Sequence, residues 1–174
     1  MTPARRHVVL VGLPGSGKST AGRAAARLLG APFTDLDTLI EGEAGARVAE
    51  LFARHGEAEF RRLERDAMRR ALEAPPQLLA PGGGWAAQPG NLEAARERSV
   101  LVYLAVAPDL AARRLEGDTG RPLLAGGDLV TRLAGLLAER EAAYRQAPIE
   151  IDAGREVDLV AAAVAAAAKR FAGW

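Results

Sequence analysis

The chain has 174 residues and a net charge of +1. That length suits one domain with a sizeable core, and the near-neutral balance gives no global case for nucleic acid or a membrane surface. Cysteine is absent, which excludes disulfides and thiolate chemistry.

The first apolar run, His7–Val11, predicts a strand buried on both faces. It leads into Gly12-Leu13-Pro14-Gly15-Ser16-Gly17-Lys18-Ser19-Thr20, which fits G-x-x-x-x-G-K-[ST], the phosphate-binding loop. Only Lys18 and Lys169 are lysine in this chain; every other cationic side chain is arginine. The glycines let backbone N–H groups turn inward as a nest for phosphate oxygens. The helix predicted over 18–29 points its positive end at the same place. Lys18 would reach the outer phosphates as a compact charge, and Ser19 offers a hydroxyl to Mg²⁺. Residues 12–20 are therefore expected to bind a nucleoside triphosphate.

A second strand, Pro32–Asp35, ends in the paired carboxylates Asp35 and Asp37. One could help hold Mg²⁺, usually through water, and the other could orient the proton of an attacking hydroxyl. Alternatively, Asp37 N-caps a helix beginning at Thr38. Periodicity predicts helices near 37–55 and 57–74. Arg61 and Glu64 share a face of the second; an exposed ion pair and a held substrate-binding arginine are both compatible with that spacing. His55 has no partner at metal-ligand spacing and suits a surface or capping position.

A strand at Gln77–Ala80 precedes Gly82-Gly83-Gly84, which allows close approach to the backbone. Next come a helix near 89–97, a strand at Ser99–Ala105 and a helix near 108–116. Residues 117–128 are glycine-rich, hold Arg121, and read as either an active-site lid or a linker. A helix near 129–146 carries Arg140 between Glu139 and Glu141, a pattern that alone reads as a solvated charge run. A strand at Ile149–Asp152 and an alanine-rich helix near 156–171 close the chain; that helix is too short and too charged for a membrane span. Strands alternating with helices imply a parallel sheet covered on both faces, with ligands beyond the carboxyl ends of the strands. Asp35, the triplet 82–84 and the phosphate loop should then converge on one edge.

Taken in order, these segments resemble shikimate kinase, of the P-loop nucleoside monophosphate kinase-like fold, over roughly residues 8–155. The phosphate loop is followed by Asp35-Leu36-Asp37 and Glu41, by Gly56-Glu57 before Phe60, Arg61 and Glu64, by the glycine triplet, by Arg121-Pro122-Leu123-Leu124, and by Arg140 with Tyr144. The resemblance implies a three-layer α/β/α domain over 1–174, with a five-stranded parallel sheet, an acceptor-binding region at about 35–64 and a mobile lid at about 117–128. It implies ATP and Mg²⁺, transfer to the 3-hydroxyl of shikimate, and a cytoplasmic monomer without nucleic-acid or membrane partners. Gly12, Pro14, Gly15, Ser16, Gly17, Lys18, Ser19 and Thr20 would hold the nucleotide, with Arg114 and Arg155 near adenine. Ser19 and Asp35 would hold the metal. Asp37, Arg61, Gly82, Gly83, Gly84 and Arg140 would hold the acceptor, and Asp37, Lys18 and Arg121 would act in transfer. Pro81 and Trp85 depart from the small or hydroxyl residues usual in the family. An indole at 85 could either narrow the acceptor pocket or point into the core. A kinase of the same fold acting on a sugar acid or nucleotide, and a nucleotide-binding switch without an acceptor, are the alternative readings.

Overall fold

A computed structural model describes residues 4–117, 124 and 126–174. Arg121 and much of the expected lid, residues 118–123 and 125, lie outside the described residues. Five strands, β1 (His7–Val11), β2 (Phe33–Asp35), β3 (Leu78–Ala80), β4 (Ser99–Ala105) and β5 (Ile149–Asp152), form one sheet in the order β2-β3-β1-β4-β5. Every neighbouring pair is parallel. Val8, Val9 and Leu10 alternate between the two faces of the sheet, yet each is fully buried, so both faces are covered. At the edge, β5 alternates half-buried Ile149 and Ile151 with exposed Glu150 and Asp152.

Helices α1 (Lys18–Leu29) and α7 (Val157–Phe171) pack together, α1 over β1–β3 and α7 over β4 and β5. Gly22 sets the distance of α1 from the sheet: a Cβ there would come within 2.8 Å of Leu10 and of Phe33. Helix α3 (Val48–Glu73), a 3₁₀ turn at Trp85–Ala87, α4 (Asn91–Arg96), α5 (Pro108–Arg114) and α6 (Leu129–Tyr144) make up a second packed group. The order of strands reverses at β1, with β3 on one side and β4 on the other, and the phosphate loop leaves its carboxyl end at this switch point. No helix among the described residues is long and apolar enough to cross a membrane.

The five strands match the sequence expectation to within a residue. The helices after β2 do not. Instead of dividing at Gly56, the chain forms α2 (Leu36–Ala44) and then the long α3. Gly45, at φ 63°, caps α2 in the left-handed region and sends its N–H back to Glu41 O at 2.9 Å. Glu41 and Glu50 then accept the N–H groups of Val48 and Arg47 at the start of α3. Gly56 remains a kink inside α3, at φ 79° and ψ 174°. The helix expected near 89–97 is shorter, because Gly90 turns the chain at φ 81° just before α4.

Trp85 resolves toward the core. Its side chain is 1% exposed and packs in the main cluster with Leu10, Leu36 and Tyr144. It lines neither cavity described below.

Candidate active site

Two cavities meet at the carboxyl edge of the sheet. The larger, about 610 Å³, is lined by Gly15–Ala21, Asp35, Arg114 and Arg155, among others. Gly17, at φ 86°, is the N-cap of α1, so the loop turns its backbone toward this cleft where the helix begins. Lys18 is buried, and its ammonium donates to Gly12 O at 2.8 Å and Leu13 O at 2.9 Å. Ser19 Oγ donates to Asp35 Oδ2 across the cleft floor. That hydroxyl and carboxylate are the hard oxygen donors Mg²⁺ takes, and the contact brings together two residues sixteen apart in sequence. Among the described residues no cluster of acidic and imidazole side chains forms a metal cage, so a cation here would draw further oxygens from phosphates and water.

Arg114 reaches over the cleft and donates to Ala153 O at 2.8 Å, beside exposed Arg155. Two of the residues expected at the nucleotide, Gly12 and Pro14, do not line this cleft. Gly12 sits beneath the loop, where a Cβ would be 2.6 Å from Leu104 O. Pro14 faces the other cavity.

The capping role suggested for Asp37 belongs to Asp35. Its Oδ1 accepts from Thr38 N at 3.1 Å. Asp37 is instead placed in the first turn of α2, where it lines both cavities together with Gly82 and Gly83.

The second cavity, about 70 Å³, has a polar wall of Asp37, Arg61, Glu64 and Arg140. Arg61 and Glu64 are not the exposed pair that their spacing allows. Arg61 Nη1 meets Glu64 Oε2 at 2.8 Å, with side-chain exposures of 8% and 1%. Glu57 adds a second, half-exposed contact to Arg61 at 3.2 Å. Burial pushes the Glu64 carboxyl above the usual glutamate range, while Arg61 works against that shift. Glu64 Oε1 is buried against Gly82 without a well-formed hydrogen bond. Arg140 is also buried, so its flanking glutamates mislead: α6 turns the arginine inward and leaves Glu139 and Glu141 more exposed.

Each glycine of the triplet makes room for a different neighbour. A Cβ on Gly82 would lie 2.7 Å from Glu64 Oε1, on Gly83 2.6 Å from the Pro14 ring, and on Gly84 2.4 Å from the Arg61 guanidinium. The triplet thus separates the phosphate loop from the buried ion pair with no side-chain thickness to spare.

Sequence reasoning missed the apolar wall formed by Val48, Phe52 and Leu136, and it named Phe60 only as part of a motif. The Phe52 and Phe60 rings lie 4.7 Å apart and tilted by 39°. They sit on opposite sides of the Gly56 kink, so no single helical period relates them. Nor did sequence reasoning find the hydrogen bond from Tyr144 Oη to Gly83 O, which joins residues 61 apart.

Comparison with known proteins gives the arrangement a family. The shikimate kinase family profile matches residues 14–169. Shikimate kinase of Paracidovorax citrulli is 48% identical over 140 residues, covering 79% of this chain and 76% of that protein. Shikimate kinase of Mycobacterium avium is 47% identical over 148 residues, covering 84% of each chain. Among solved structures, shikimate kinase from Acinetobacter baumannii in complex with shikimate superposes with a TM-score of 0.86 at 32% identity, covering 95% of this chain and 90% of that one. With the profile spanning most of its length and relatives this similar over most of the chain, the chain belongs to the shikimate kinase family.

Proposed function

We propose that this protein transfers the γ-phosphoryl group of ATP to the 3-hydroxyl of shikimate, giving shikimate 3-phosphate and ADP. The observation that carries this reading is the position of Asp37. It lines both the phosphate-loop cleft and the small pocket that holds Arg61 and Arg140. Two arginines in one pocket suit a carboxylated acceptor, and the A. baumannii relative binds shikimate.

In this mechanism residues 15–20 cradle the phosphates of ATP, and Lys18 moves from its loop carbonyls to the developing charge. Mg²⁺, held by Ser19 and Asp35, would neutralise phosphate oxygens. Arg61 and Arg140 grip the acceptor carboxylate as forks, and Glu64 keeps the Arg61 fork in one orientation. Asp37 accepts the hydrogen bond of the attacking hydroxyl and then its proton as the new P–O bond forms and ADP leaves. Gly82, Gly83 and Gly84 form the wall between donor and acceptor. Arg114 and Arg155 flank the adenine end. Arg121, from a lid at about 117–128, reaches the transferring group as water is excluded. The same reading makes residues 1–174 one catalytic domain with its acceptor region at about 35–64, acting as a cytoplasmic monomer.

The test is ADP release measured side by side with shikimate, quinate, gluconate and nucleoside monophosphates. Shikimate should give the fastest acceptor-dependent rate. A rate with another acceptor and none with shikimate overturns the substrate while leaving the fold and family intact.

A further inference from the structure

Three consecutive glycines have wide backbone freedom, so a wall built from them needs its peptides fixed from outside. Each carbonyl of the triplet has a hydrogen-bond donor. Gly82 O accepts from Trp85 N at 3.1 Å, and Gly84 O accepts from Gln88 Nε2 at 3.4 Å; both are local to the turn. Gly83 O is held from across the fold by the Tyr144 hydroxyl at 2.5 Å. Tyr144 is fully buried, and its ring stacks on Tyr103 with centroids 5.4 Å apart. Burial pushes the phenol up to about 12, with Arg140 working against the shift, so the group stays a neutral donor at working pH. On its other side Gly83 meets Pro14 of the phosphate loop, and it lines both cavities. Arg140 is one turn before Tyr144 on α6 and faces the acceptor pocket.

We propose that Tyr144 is a positioning residue for the acceptor. By holding the Gly83 carbonyl it sets the orientation of the glycine wall and registers that wall against the helix that carries Arg140. The proposal rests on the kinase reading above. Without the hydroxyl, the Gly83 peptide loses its tie to α6 and the wall behind the acceptor can tilt. The phosphate loop keeps its own anchors in β1 and α1, so nucleotide binding should change little.

The experiment is Tyr144→Phe, which retains the ring and its stack on Tyr103, compared with Val164→Ala. Val164 is fully buried on α7 and lines neither cavity. Thermal unfolding and steady-state kinetics are measured for both variants. Tyr144→Phe should raise the KM for shikimate about tenfold, as loss of one buried hydrogen bond allows, with the KM for ATP within about twofold. Val164→Ala should lower Tm and leave both KM values in place. The proposal fails if Tyr144→Phe leaves the shikimate KM unchanged, or if the two variants shift KM values alike in step with Tm. A wild type inert toward shikimate overturns the choice of substrate separately, and Tyr144→Phe is then judged with whichever acceptor of the panel releases ADP. A wild type inert toward the whole panel overturns both.

Discussion

The donor side and the acceptor side of this site are built by opposite means. The phosphate loop is one unbroken stretch, residues 12–20, whose function lies in backbone conformations that its own glycines permit. The acceptor pocket draws on α2, α3, the triplet after β3, and α6. Its charges act because tertiary packing removes them from water, as the buried Arg61–Glu64 pair does. A locally encoded site tolerates remote change, whereas an assembled one depends on every element that meets there. Asp37 and Gly83 lie where the two sides touch.

The largest effect should come from that junction. Asp37→Asn keeps the shape and removes the proton acceptor, so kcat should fall about 10²–10⁴-fold while both KM values stay near wild type. A large rise in either KM with kcat preserved would make Asp37 a binding residue and not the group between donor and acceptor. Arg121→Ala should lower turnover by about 10³-fold or more if the lid arginine meets the transferring phosphoryl. Single-turnover kinetics separate that loss from slow product release.

Next in size is Arg61→Ala, which sharpens the division between the two sides. Loss of a charged hydrogen-bonding fork weakens acceptor binding by about 1.5–3 kcal/mol, read as a higher shikimate KM with the ATP KM unchanged. The same change leaves Glu64 buried without its cation, so stability should fall by about 3–5 kcal/mol, visible in urea unfolding. If the ATP KM rises equally, the two sides are not separable. Gly83→Ala should do what Arg61→Ala does not: its Cβ would press on the Pro14 ring at 2.6 Å, and a few-fold rise in both KM values is expected.

These variants also mark what the sequence could reveal. The sheet was legible because its central strands β1 and β4 are apolar runs, and the donor loop because spacing alone defines it. The burial of Arg61 and Arg140 was not, since flanking glutamates read as solvated charge until α3 and α6 pack around the pocket. The break at Gly45 was missed because helical periodicity continues across it. Asp35 and Asp37 were found together, with a cap at Asp37 weighed against a chemical role: the helix starts at Leu36, two residues before the Thr38 start that such a cap needs, and the cap is therefore Asp35. The tie from Tyr144 to Gly83 has no local signature at all.

The smallest expected effect tests whether desolvation distinguishes the acceptor side in solution. Folding raises the Glu64 pKa above its ordinary 4.5, chiefly through burial. The folded protein therefore holds this proton more tightly than the unfolded chain does. The stabilisation this provides is complete below 4.5 and is lost as pH rises through the raised folded value. Glu64→Gln keeps an oxygen for the Arg61 guanidinium and removes the titration. The variant should thus gain stability relative to wild type as pH climbs through that window, measured by urea titration at several pH values. Parallel curves would mean that Arg61 compensates burial fully. The acceptor pocket would then hold a permanent ion pair, as indifferent to pH in this range as a phosphate loop made of backbone N–H groups.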